Sequence, residues 1–172
     1  MKTHEQMGYR PDPVEFVNGP SSVLTVIRED ITEHPGVDGA EPYWTCETTF
    51  LDMPGEELTD ELKRAIEADP HKYAGYIPMA DRPALQAAYT GAVQAWMDAE
   101  AMTHGYDDIK SAVGYENSDD PVFRAEAVAC RSWRDRVWRA CYSYMDGVLA
   151  LELPLLPVPE FLAMLPQMEW PA

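Results

Sequence analysis

Side chains with the types to do chemistry are few in this chain and poorly grouped. Its four histidines, His4, His34, His71 and His104, lie in four different segments, none with a second ligand at metal spacing. In "THEQM" the glutamate has no histidine following at the offset a zinc helix requires. The three cysteines, Cys46, Cys130 and Cys141, are an odd number without metal-like pairing. If Cys130 and Cys141 share a helix, their separation along its axis is about 16 Å, and a disulfide tolerates only about 7 Å between Cα atoms. They are expected to be small, reduced core residues. The sequence contains no glycine-rich phosphate loop, nucleophile elbow or Cys–His pair in recognisable context.

Carboxylates gather in "YDDIKSAVGYENSDD", which carries Asp107, Asp108, Glu116, Asp119 and Asp120. A hydrolase working through this patch, or a divalent cation bound there, would need such a cluster. The spacing lacks the calcium-loop pattern, however, and helix capping accounts for most of these residues. We therefore expect no metal, no cofactor and no catalytic constellation.

The remaining candidates belong to recognition. "AVACRSWRDRVWRACYSYMDGVLA" (127–150) holds two tryptophans and a dense set of arginines. At 100° per residue, Phe123, Ala127, Cys130, Trp133, Val137, Cys141, Tyr144 and Val148 share one arc, extended on one side by Trp138 and Met145. That arc is a core-facing stripe. Arg136 and Arg139 point away from it, whereas Arg124 and Arg131 sit on its boundary, along the edge that carries Trp138. These four arginines and Trp138 are the candidate partner-binding residues. Arg134 falls inside the arc, where a buried charge needs a carboxylate or an aromatic face. Arg134 and Trp133 are accordingly expected to be structural. Asp135 and Arg139 have the spacing to pair along the helix.

Charge frames this segment. The chain carries a net −17. Residues 121–139 set five arginines against Glu126 and Asp135, a local +3 that leaves −20 elsewhere. A strongly acidic chain opposes non-specific nucleic-acid binding. The arginine helix is instead expected to attract the chain's own acidic parts or those of an identical neighbour. No apolar run approaches the roughly 20 residues of a membrane span, and "MKTHEQMGYRPDP" lacks the apolar core of a signal peptide. The chain is expected to be cytosolic, with no membrane partner.

The elements that must position these residues predict an α+β fold, a small N-terminal antiparallel β unit (1–57) followed by a mainly α-helical module with a proline-rich tail (58–172). Strands are expected at "SSVLTVIRED" (21–30) and at "YWTCETTFLD" (43–52), where Trp44, Cys46, Thr48 and Phe50 alternate on one side. Between them, Pro-Gly and Asp-Gly mark a turn or mobile loop. Thr59 caps a first helix that stops at Pro70. A second begins near Pro83, presents Leu85, Ala88, Tyr89, Ala92, Trp96 and Ala99 on one face, and ends at Gly105. A short helix "DDIKSAV" and a long one from Pro121 follow. One further short helix (158–165) completes the tail, which is expected to pack back on its own domain.

In this order, residues 106–170 resemble a module at the C-terminus of tail-fibre and tail-assembly proteins of tailed bacteriophages and prophages. The matching features are Tyr106, Ile109, Ser111-Ala112, Tyr115, Pro121, Phe123, Glu126, the block Trp133-Arg134-Asp135 with Val137-Trp138, Leu165-Pro166 and Trp170. Upstream, "ELKRAIEADPHKYAGYI" looks like the short helix and tyrosine-bearing linker that can precede the module. The resemblance implies a non-enzymatic component of the virion tail, or an assembly factor acting in the host cytoplasm. Its partners would be tail, fibre or baseplate proteins, and the charge separation adds further copies of the chain itself. The resemblance does not cover the β unit, which on this reading would dock on a larger tail protein. A reading of a different class follows from the charge alone: an acidic phage-encoded inhibitor covering a basic surface of a host nucleic-acid-handling or defence protein.

Overall fold

A computed structural model of the chain describes residues 2–37 and 39–171. It is an α+β protein that divides into two compact units, Met1–Pro83 and Ala84–Ala172. The sequence boundary at 57/58 marks where strands give way to helices. The compact unit runs on to Pro83 because the first two helices cover the sheet.

The first unit is a four-stranded antiparallel sheet with strands β1 (Lys2–Met7), β2 (Val14–Asn18), β3 (Ser22–His34) and β4 (Tyr43–Pro54) in the order β1-β4-β3-β2. β3 and β4 are the two strands expected from the sequence, each longer than expected. The extension of β3 to His34 shortens the intervening loop, and Asp38 of its Asp-Gly pair lies outside the described residues. The bulge in β3 falls between Glu29 and Thr32, with Asp30 in the left-handed region at φ 52. His34 closes the hairpin, stacking on Tyr43 and hydrogen-bonding Thr45 Oγ1 at 2.9 Å.

Consecutive strands β1 and β2 occupy opposite edges, so Gly8–Pro13 must cross the width of the sheet. Pro11 is buried along this connection, and Arg28 Nη1 donates to the Asp12 carbonyl at 3.1 Å. One sheet face builds the apolar core: Ile27, Leu51 and Met53, flanked by Val14, Phe16 and Val23. Helices α1 (Asp60–Ala68) and α2 (Pro70–Tyr73) and the flanking chain bring Leu58, Leu62, Ile66 and Tyr73 to this cluster. Thr59 caps α1 through Leu62 N at 3.2 Å, as the sequence predicts. Trp44, Cys46, Thr48 and Phe50, read from the sequence as one side of β4, lie on the other face, where Cys46 and Thr48 are also buried. This sheet fills both faces.

The second unit contains most of α3 (Arg82–Thr103), then α4 (Ile109–Gly114), α5 (Pro121–Leu149) and α6 (Val158–Met164). On α3 the buried residues are Tyr89, Val93, Met97 and Ala101. The expected face is therefore rotated: Ala88 and Ala99 are exposed, because the larger Val93 and Met97 bury more apolar surface than alanine can. Gly105, at φ 85, closes the α3 turn as predicted. Among the described residues, no helix is long and apolar enough to cross a membrane.

Candidate interaction surface

α5 forms because both ends are held and one face is apolar. Asp120 caps it, accepting from Val122 N at 2.8 Å, and Pro121 occupies the first turn, where a missing N–H is harmless. Ala127, Cys130, Trp133, Val137, Cys141, Tyr144 and Val148 are buried, the stripe read from the sequence. Phe123 is the exception. It lies in the first turn, 45% exposed, with its ring 5.5 Å from Tyr115.

The tail is pinned to this unit by polar contacts from buried aromatics. Trp133 Nε1 donates to the Pro166 carbonyl at 2.6 Å, and its ring meets Trp96 edge-on at 5.3 Å. Tyr144 donates to the Pro154 carbonyl at 2.7 Å and accepts from Leu156 N at 2.8 Å. Phe161 and Leu165 are buried, with Phe161 between Tyr89 and Tyr144. Trp170 donates to Glu100 Oε1 at 2.8 Å and stacks on His104 at 3.6 Å between ring centroids. The tail packs back on its own module, as expected.

The five arginines separate into two groups. Arg124 turns back on the loop before its own helix, donating to the carbonyls of Ser118 (2.8 Å) and Asp119 (3.1 Å). Arg131 is half-buried and paired with Glu116. Arg134 lies 3.6 Å from Asp135 with a third of its side chain exposed, so Asp135 meets its neighbour in sequence and not Arg139. No arginine stacks on a tryptophan among the described residues; the cation–π contact formed is Arg82 over Tyr76, at 5.8 Å. Arg136 and Arg139 are exposed and form no ion pair among the described residues. Trp138 is half-buried, its ring stacked on Tyr142. Of the candidate partner-binding residues, Arg136, Arg139 and Trp138 remain available, while Arg124 and Arg131 are engaged within the chain.

The acidic patch is used locally. Asp108 caps α4 through Ser111 N at 2.6 Å, Asp120 caps α5, and Glu116 holds Arg131. Cys130 and Cys141 are free and buried, and burial pushes both thiols up to about 11. Groups of three or more His, Cys, Asp or Glu able to hold a metal are absent among the described residues.

Two polar clusters were missed from the sequence. In the first, burial together with a 2.5 Å hydrogen bond to Glu126 Oε2 raises the Tyr106 phenol. His104 approaches the same carboxylate group at 3.9 Å, and Tyr106 also stacks on Trp170. In the second, Lys2 bridges Glu47 (2.7 Å) and the buried Glu29 (3.1 Å), which also binds His71. The hydrogen bonds that Lys2 donates to those two carboxylates raise its pKa. Only the pairing of β1 with β4 brings Lys2 there, and nothing in the sequence signals it.

Compared with known proteins, the chain matches no family model, no curated protein and no solved structure. The geometry defines the class: an α+β chain whose distinctive surface is an arginine-bearing aromatic helix.

Proposed function

We propose that this chain is a non-enzymatic component or assembly factor of a bacteriophage tail, acting at the fibre or baseplate through protein–protein contacts. One observation carries the reading. The ordered residues that resemble the tail-protein module contact one another: Tyr106 with Glu126 and Trp170, Tyr115 with Phe123, and Trp133 with Pro166. A set of this kind maintains a packing arrangement, which suits a binding module with no chemistry of its own. Arg136, Arg139 and Trp138 are its outward contacts, with Arg124, Arg131, Arg134 and Trp133 supporting the helix that presents them. The β unit docks the chain on a larger tail protein.

Mass spectrometry of purified virions, with co-purification of a tagged chain from infected cells, tests this. Recovery with particles, or with a fibre or baseplate protein, supports it. Absence from both overturns it. The net charge of −17 favours the second reading, an acidic inhibitor of a basic host protein. Capture of a host nucleic-acid-binding protein that fails at high salt selects that reading; capture indifferent to salt rejects it.

A further inference from the structure

The C-terminal half of α5 carries a second apolar band that the core does not use. Trp138, Tyr142, Met145 and Leu149 follow one another at spacings of four, three and four residues. On a helix this places them along one line, roughly 100° round from the buried stripe. Tyr142 is 63% exposed and Leu149 39%, while Trp138 and Met145 are half-buried. The rings of Trp138 and Tyr142 stack with centroids 6.2 Å apart, giving the band a flat aromatic start. The alternation of three and four is the spacing of a two-helix seam.

On the outer flank of the band, Arg139 and Asp146 lie seven residues apart, both exposed and neither in an ion pair among the described residues. We propose that this band is an interface between two copies of the chain, with α5 helices packed antiparallel about a two-fold axis. In that arrangement Trp138 falls level with Leu149 of the partner subunit, and Tyr142 level with Met145 of the partner subunit. Both levels belong to the same register, so all four residues of each copy are covered at once.

Charge selects both the occupant and the direction. The antiparallel register sets Arg139 close to the level of Asp146 of the partner subunit, and symmetry repeats the pair. A parallel register turns this flank towards the opposite flank of the partner helix, where the buried Cys141 and Val148 lie, and leaves both charges without a counterpart. An unrelated partner would have to supply an acid and a base separately at these two levels. A second copy supplies both. The band is short, about 16 Å of helix, so the dimer is concentration-dependent.

The test uses the isolated full-length chain and no tail protein, so its outcome is independent of the tail reading. Sedimentation velocity over roughly 1–500 μM is expected to show a monomer–dimer equilibrium. Arg139→Asp and Asp146→Arg should each weaken the dimer roughly tenfold, and combining them should restore it. Both positions are exposed, and circular dichroism checks that each variant folds. Tyr142→Cys mixed with Met145→Cys should cross-link faster than Tyr142→Cys with itself. A monomer throughout the range overturns the proposal. So does a dimer indifferent to the reversals, a double reversal no tighter than the singles, or a dominant Tyr142→Cys self-cross-link.

Discussion

At the scale of single residues, the chain uses its aromatic side chains as polar anchors as well as apolar filler. Trp133 is fully buried, and its indole N–H satisfies the carbonyl of Pro166. Trp133→Phe keeps an aromatic ring but leaves that carbonyl without its donor and opens a small void. The expected loss is about 2–3 kcal/mol of unfolding free energy, checked by urea denaturation. The buried thiols give a pH signature. Burial pushes the Cys130 and Cys141 thiols up to about 11 in the folded chain, above the ordinary thiol range. Below pH 9 both states hold the proton and folding is unaffected. Above it the unfolded chain ionises first, so stability falls until the folded thiols also ionise near pH 11. Denaturation midpoints of the Cys130→Ala, Cys141→Ala double variant should decline less over that window. A decline as steep as in the unmodified chain would assign the effect to other groups, such as Tyr76, raised to about 12 by burial and Glu57.

Among the elements, the helices other than the short α2 were legible and half the sheet was not. Caps and stops are local: Thr59, Asp120 and Gly105 sit where their own chemistry requires. The cap of α5 is testable on that basis. Asp120→Ala removes the acceptor for Val122 N and should cost about 1 kcal/mol, whereas Asp119→Ala, with a side chain outside the cap, should cost much less. Gly105→Ala forces a side chain into φ 85 and should cost about 1 kcal/mol in the same assay. β1 and β2 carry weaker signals. "KTHEQM" has one β-branched residue, and "VEFVN" is five residues long after two prolines. Both are strands because β4 and β3 present ladders to pair with, a tertiary cause that period and propensity do not record. The arginines show the same limit: the periodicity gives the face each one occupies, but only the fold brings Glu116 to Arg131.

For the whole molecule, the charge distribution separates the two functional readings without any knowledge of the partner. A chain of net −17 repels itself and its copies at long range, while the Arg139–Asp146 pairing proposed between copies acts at short range. Raising ionic strength from about 0.01 to 0.1 M shortens the Debye length from about 30 to 10 Å and screens the long-range term first. The thermal midpoint should therefore rise over this interval, and self-association should strengthen, both readable by calorimetry and sedimentation on one preparation. An inhibitor docking its acidic surface on a basic host protein behaves in the opposite sense, because there the long-range term is attractive and salt weakens capture. A chain whose self-association strengthens with salt, and whose recovery with a fibre or baseplate protein survives high salt, is held by apolar contact along α5. One whose contacts all fail as salt rises works through its net charge, and the aromatic band on α5 would then have no part in what it binds.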